Sequence, residues 1–373
     1  MRIAQIAPLA ESVPPKLYGG TERVVAWLVE EFVNAGHEVT LFASGDSVTS
    51  AKLNAVCPRA LRLGRPRTDP MAALIEEVAC RANDYDLIHA HIDWLHLPLL
   101  SRLGVPFLTT CHGRLDLPLF PDVIRRFPKA AFVSISENQR IPLPQANWIG
   151  TVYHGLPKDL FRPSFKPGSY LAFLGRLTAE KGPEPAIRIA RAVGMPLHIA
   201  AKIPRGETTY FKESIEPEVD GKQIRLIGEV NDQAKQGFLA GAAALLFPID
   251  WPEPFGLVMI EAMACGTPVI AFRSGSVPEV VDHGITGFVV SNEEEAIEAI
   301  GRLGELDRRR IRAQFESRFT SRRMAEEYLK HYTALAPKRN TVKSAGKDAL
   351  QEHSLIDATG FDLHAPDAGS TGA

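Results

Sequence analysis

This sequence is short of cysteine, of long apolar runs and of excess charge, and each shortage removes a class of function. Cys57, Cys80, Cys111 and Cys265 are its only cysteines and none forms a C-x-x-C pair. Neither a zinc ribbon nor a disulfide framework is indicated, and a reduced, cytoplasmic setting is expected. No run approaches the roughly 18 apolar residues of a membrane span. The longest, LAGAAALLFPI from Leu239 to Ile249, ends at a proline. Over 373 residues, 42 Lys and Arg stand against 44 Asp and Glu, a net −2. That balance removes the electrostatic reason to expect a nucleic-acid or anionic-membrane binder. G-x-S-x-G, G-K-[ST], H-E-x-x-H and G-x-G-x-x-G are also absent, so the hydrolase, P-loop and dinucleotide-dehydrogenase readings lose their usual support.

What is present is an alternation of short apolar runs with helical periodicity. The start, MRIAQIAPLAESV, is a poor signal peptide and reads better as a buried strand followed by a loop. Strands are predicted at Arg2–Ala7, Glu38–Ala43, Leu87–His91, Phe107–Cys111, Ala131–Ile135 and Trp148–Tyr153. A helix is predicted over Thr21–Asn34, where Val24, Val25, Leu28, Val29 and Phe32 recur at helical spacing. The scheme restarts at Tyr170–Leu174, Leu197–Ala201, Ile224–Ile227, Ala243–Phe247, Pro268–Ala271 and Gly287–Val290. Strand and helix in alternation predict mostly parallel, doubly wound sheets, an α/β class. The Pro- and Gly-rich stretch from His154 to Ser169 marks the joint. The expected organisation is an N-terminal Rossmann-like domain over 1–158 and a second over 159–318. A C-terminal helix over 319–336 returns to the first domain, and 337–373 form a disordered tail. The basic stretch LDRRRIRAQFESRF, Leu306–Phe319, reads as a helix packed on its domain rather than a membrane binder.

Two lures precede the chemistry. Asp84-Tyr85-Asp86 mimics a metal-binding D-x-D, but it stands at the start of a strand, the sheet edge where sites are seldom built. In HAHIDWLH, His89, His91 and His96 have no carboxylate or cysteine set to join them, so they are expected to be structural or to support neighbouring residues of a site. No metal is assigned. Three segments carry more. Gly19 and Gly20 open a helix with Thr21 near its N-cap, which makes an anion site of free N–H groups. In FLGRLTAEKG, Arg176 and Lys181 stand at the carboxyl edge of the second sheet; two cations aimed at one spot repel unless an anion such as a diphosphate lies between them. In FPIDWPEPFGLVMIEAMACGTPVIAF, a loop presents Glu253, and a helix beginning near Phe255–Gly256 buries Leu257, Ile260, Glu261 and Ala264 at i, i+3, i+4 and i+7. A carboxylate in that stripe needs hydrogen bonds or a cation, and ribose hydroxyls would serve. The N–H groups of Phe255, Gly256 and Leu257 would line an anion pocket beside Glu253.

GGTERVV, GRLTAEKG and EPFGLVMIEAMACGTPVIAF together resemble the signature of family 4 retaining glycosyltransferases, also called glycosyltransferase group 1, over about residues 1–335. Glu253 and Glu261 match that family's E-x7-E motif. The run Asp250–Val290 is closest to the avilamycin-pathway-type branch. The resemblance implies the two-domain GT-B fold with a cleft, and a hexosyl group moved from a nucleotide-diphosphate sugar, a UDP-sugar first, to an acceptor hydroxyl with retention and without a metal or other cofactor. By resemblance Arg176 and Lys181 hold the diphosphate, Glu261 the ribose, and Glu253 the transferred sugar beside the N–H groups of Phe255, Gly256 and Leu257. Gly19 and Gly20 approach the phosphates, and His112 contacts the sugar. His112 is followed by Gly113 where many members carry Asp, and Ala200–Ile203 replace a Gly-rich turn. A front-face substitution is favoured, with the leaving phosphate helping to deprotonate the acceptor. The alternatives are a retaining glycosidase, a GT-B-type nucleotide-sugar epimerase and a non-catalytic nucleotide-sugar-binding protein. The acceptor, a sugar, lipid-linked or small-molecule compound, is not specified. Leu117–Ala130, apolar and basic, either caps the cleft or meets a lipid-linked acceptor at the inner face of a membrane.

Overall fold

The computed structural model describes residues 1–17, 19–64 and 69–336; Tyr18 and the tail from 337 lie outside the described residues. The first sheet runs β3-β2-β1-β4-β5-β6-β7, every neighbouring pair parallel. Its strands are β1 (Arg2–Ile6), β2 (Glu38–Ser44), β3 (Lys52–Cys57), β4 (Leu87–Ala90), β5 (Phe107–Thr110), β6 (Ala131–Ser134) and β7 (Trp148–Thr151). The second runs β10-β9-β8-β11-β12-β13, also parallel. These are β8 (Tyr170–Arg176), β9 (Leu197–Lys202), β10 (Ile224–Leu226), β11 (Ala242–Phe247), β12 (Val269–Phe272) and β13 (Gly287–Val290). The central strands read as near-continuous apolar runs because helices cover both faces. The strand missed from sequence is β3: KLNAVC is a half-exposed edge, paired only to β2, and needs little apolar character.

Helices α1 (Gly20–Asn34), α2 (Pro70–Cys80), α3 (Leu97–Leu103) and α4 (Leu119–Arg125) connect the first sheet. In the second half follow α5 (Pro183–Ala192), the short α6 (Thr208–Tyr210), α7 (Asp232–Ala240), α8 (Leu257–Ala264), α9 (Val277–Val280), α10 (Glu293–Gly301), α11 (Arg308–Arg318) and α12 (Ser321–Leu335). On α11, Arg308 and Arg312 are buried and serve carbonyls: Arg308 donates to Ser164 O and Ala242 O at 2.8 and 2.9 Å, Arg312 to Ala264 O and Lys158 O at 2.6 and 2.7 Å. The basic stretch is therefore packed on the second sheet's layer, its charge satisfied by orphan carbonyls.

Helix α12 belongs to the first core although it follows the second sheet in the chain. Met324, Ala325, Tyr328 and Tyr332 pack with Val25, Val29 and Phe32 of α1 over Ile3 and Leu87. The two chain crossings run side by side: Leu156 N–H donates to Phe319 O at 2.9 Å and Ser321 N–H to Leu156 O at 2.7 Å. In both sheets strand order reverses at the first strand, between β1 and β4 and between β8 and β11, which is where doubly wound folds leave a crevice at the carboxyl ends. This is the GT-B arrangement of two Rossmann-like layers.

Candidate functional site

A cavity of about 450 Å³ opens at those carboxyl ends, lined by both halves of the chain. Gly19, Gly20, His112, Arg176, Lys181, Glu253, Phe255, Gly256, Leu257 and Glu261 all line it, so the structure gathers every residue assigned to the site from the sequence. The N-termini of α1 and α8 meet across it: a Cβ on Gly20 would lie 3.5 Å from Leu257 Cδ1. Helix α8 starts at Leu257, directly after the expected Phe255–Gly256. Gly256 is its N-cap at φ +77°, and a Cβ there would come within 2.7 Å of Met259 Cε. The first N–H groups of each helix lack intrahelical partners and favour an anion. Phe255 contributes backbone only, because its ring is buried against His154 at 4.9 Å between centroids.

The loop carrying Glu253 is clamped. Ser276 N–H donates to Glu253 O at 2.9 Å, Ser274 Oγ to Trp251 O at 2.5 Å, and Gly275 (φ +54°) lies so close that a Cβ would be 2.3 Å from the Glu253 backbone. Glu253 is buried, its side chain 11% exposed, and its carboxylate is ion-paired with Lys181 and accepts from Trp251 Nε1 at 3.0 Å. The Lys181 ammonium also lies 4.5 Å from the Trp251 ring centroid, a cation–π contact. Arg176 ends β8, with Nη2 3.6 Å from Glu180, and its buried Nε has no partner among the described residues. The expectation of two mutually repelling cations is thus corrected: each already has a carboxylate beside it, brought by the loop after β11 and the turn after β8. A diphosphate would compete with those carboxylates rather than fill a gap between bare charges.

Glu261 is 3% exposed as expected, but not as part of a stripe: Met259, Ala262 and Met263 are buried too and Leu257 only partly, because the helix is enclosed on nearly every side, and a cation satisfies Glu261 within the protein. Lys235 Nζ on α7 lies 2.6 Å from Glu261 Oε1 and 3.5 Å from Asp232. Asp232 is in turn paired with Arg23 of α1, whose Nη2 donates to Leu17 O at 2.7 Å. This chain of charges spans the cleft.

On the other wall His112 follows β5. Its Nε2 lies 2.9 Å from His91 Nδ1 and its ring stacks on His154 with centroids 5.2 Å apart and planes at 17°. Burial pushes His112 down to about 3 and His91 and His154 below the ordinary imidazole range, so all three are neutral near pH 7. His89 and His96 are taken up by hydrogen bonds, His89 with Tyr332 and Thr110, His96 with Thr109. Asp86 accepts from the Arg2 N–H at 2.8 Å at the amino end of β4, away from the cavity. Among the described residues no group of three or more His, Cys, Asp or Glu is placed to hold a metal.

The model of the family described as Glycosyltransferase Family 4 matches residues 18–145, and that described as Glycosyl transferases group 1 matches 159–318. The chain belongs to the group 1, family 4 glycosyltransferases. It is 25% identical to a phosphatidyl-myo-inositol mannosyltransferase of Mycolicibacterium smegmatis, over 86% of this chain and 89% of the relative. It is also 25% identical to a D-inositol 3-phosphate glycosyltransferase of an Arthrobacter species, over 74% and 79%. Among solved structures, AviGT4, a glycosyltransferase involved in avilamycin A biosynthesis, superposes with a TM-score of 0.70 at 24% identity, covering 90% of this chain and 98% of that one. Anabaena HepE in complex with UDP and glucose gives 0.70 at 20% identity, covering 90% and 100%.

The motifs of this glycosyltransferase left four cavity or supporting residues unnoticed: Lys235, Trp251, His154 and Gln5. Lys235 had an indirect signal, since a glutamate on a buried stripe requires a cation from some neighbouring helix. Gln5 had one too, as the polar residue within the apolar run RIAQI. Nothing local marks His154.

Proposed function

We propose that this glycosyltransferase moves a hexosyl group from a UDP-sugar to an acceptor hydroxyl with retention of configuration and without a metal. The observation that carries the reading is the Lys181–Glu253–Trp251 cluster with Arg176 beside it, set where the N-termini of α1 and α8 converge. Arg176 and Lys181 supply positive potential where charge builds on a departing diphosphate, and the two helix ends add theirs. Losing one such donor typically costs about 10²–10³ in kcat. Glu261, held by Lys235, faces the ribose hydroxyls. Glu253, clamped by the Ser274–Ser276 turn, faces hydroxyls of the sugar. HepE, solved with UDP and glucose, supports the uridine choice.

The way the carboxylates are held favours front-face substitution. Glu261 is tied to Lys235, and Glu253 keeps its Trp251 bond even where a diphosphate competes for Lys181, so neither is a free nucleophile toward an anomeric carbon. The leaving phosphate oxygen then takes the acceptor proton. Acceptors are hydroxyl compounds entering from the first half of the chain, and the inositol-named relatives put cyclitols first in a screen. No helix of the described residues is long and apolar enough to cross a membrane.

The test is to titrate UDP, GDP and ADP by calorimetry in EDTA, then incubate the best UDP-, GDP- or ADP-sugar with cyclitol and sugar acceptors and read the product anomer by NMR. UDP binding and a retained anomer are expected. An inverted anomer overturns retention, and a preference for GDP or ADP overturns the uridine assignment.

A further inference from the structure

A buried hydrogen-bonded chain runs beneath the cavity and ends at His112. Gln5 is fully buried in β1, beside its register partner His89 on β4. Its Oε1 lies 2.8 Å from His91 Nε2, and its Nε2 donates to Tyr332 OH at 3.0 Å. Tyr332 OH lies 2.6 Å from His89 Nδ1, His89 Nε2 2.8 Å from Thr110 Oγ1, and Thr110 Oγ1 2.9 Å from Tyr328 OH. Along this line every polar atom has a partner except the last: His112 Nδ1 is buried and has none among the described residues.

The chain has a direction. An amide oxygen only accepts, so His91 Nε2 carries a proton and donates to Gln5. His91 is neutral because burial and the neighbouring imidazoles hold its basicity down, so its Nδ1 is an acceptor. His112 must then donate from Nε2 and leave Nδ1 without a proton. The reverse polarity would place an N–H with no acceptor at His112 Nδ1, the costlier kind of buried orphan.

We propose that Gln5, acting through His91, is a positioning residue that fixes His112, in the cavity wall, as its Nε2–H tautomer, with the buried Nδ1 left as a bare acceptor. Resting on the transferase reading above, a ring in this state can accept from a sugar hydroxyl that reaches Nδ1 and has no proton there to give a phosphate oxygen. The same amide ties the site to α12 through Tyr332, so a helix from the end of the chain sets the polarity of a residue in the first sheet.

Long-range 1H–15N correlation spectra of the full chain labelled with 15N-histidine, with His112→Asn for assignment, read the tautomer without any ligand. The wild-type protein should show His112 neutral with its proton on Nε2. Gln5→Met, of similar volume but without an acceptor, should move His91 and His112 toward mixed tautomers, whereas Tyr332→Phe, which keeps the Gln5 oxygen, should not. A wild-type His112 protonated on Nδ1 overturns the inference even if Gln5→Met fails to fold, and so does a folded Gln5→Met with an unchanged His112 spectrum. With UDP-glucose, Gln5→Met should lose about tenfold in kcat, the worth of one hydrogen bond, with UDP affinity unchanged. If the wild-type protein does not turn over UDP-glucose, the kcat comparison uses the nucleotide-sugar it does turn over, and the ligand-free spectrum still decides this inference.

Discussion

Lys235 Nζ lies 2.6 Å from Glu261 Oε1, with the two side chains only 10% and 4% exposed. Breaking such a pair from one side strands the other charge, a loss of about 3–5 kcal/mol. Lys235→Met should therefore lower the urea midpoint sharply, and Lys235→Met/Glu261→Leu should recover most of the loss because no charge is left unpaired. In a variant that stays folded, Glu261→Gln should weaken UDP binding by about 1–3 kcal/mol, roughly 5- to 150-fold. Unchanged UDP affinity by calorimetry would mean that the ribose does not sit at Glu261.

Glu253 behaves differently because its partners are Lys181 and Trp251. Glu253→Gln frees the Lys181 ammonium for phosphate, so UDP affinity should hold or rise while kcat falls by about 10²–10³. Azide rescue of Glu253→Ala with a glycosyl azide product would show a covalent double displacement and sink the front-face mechanism.

On the proposed reading transfer should persist in excess EDTA, since Arg176, Lys181 and the N-termini of α1 and α8 line the cavity and would offset a diphosphate's charge there. Activity that disappears in EDTA and returns only with Mg²⁺ or Mn²⁺ contradicts this. Progress curves of released nucleotide provide the measurement.

Stability should fall on mild acidification because of buried neutral histidines. His96 is 1% exposed, bonded to Thr109, and desolvation lowers it to about 3 from the 6.5 of an exposed ring. Between those values the unfolded chain binds the proton and the folded one does not, so stability is full above pH 6.5 and declines as pH falls toward 3. At pH 5 the contribution is about 2 kcal/mol lost. Urea unfolding of the wild-type protein and His96→Gln at pH 5 and 7 checks it: the variant should lose less on acidification, and equal losses would reject the assignment to His96.

Gly256→Ala should cost about 1–3 kcal/mol, because the left-handed N-cap of α8 must be strained and the new methyl meets Met259. It should also impair UDP binding, since the N–H groups of Phe255 to Leu257 would shift. A variant with wild-type melting temperature and affinity would remove Gly256 from the site's architecture.

Local patterns determined much of this protein. Continuous apolar runs such as Leu245–Phe247 and the helical recurrence of Val24, Val25, Leu28, Val29 and Phe32 are read within one strand or a few turns, because backbone periodicity is a local property. The same holds for Arg176 at the end of β8 and for Lys181 and Glu253 in the segments that follow β8 and β11, where a parallel sheet must open. What answered Glu261 was not legible: Lys235 is 26 residues away and reaches it only because α7 and α8 pack together. The spacing could demand a cation there without saying which one. The Gln5–Tyr332 bond joins residues 327 apart in sequence, and the polarity it gives His112 passes through β1, β4 and α12. The tertiary structure alone decided these pairings, because a hydrogen bond between distant segments depends on where whole elements are stacked, and no local period encodes that.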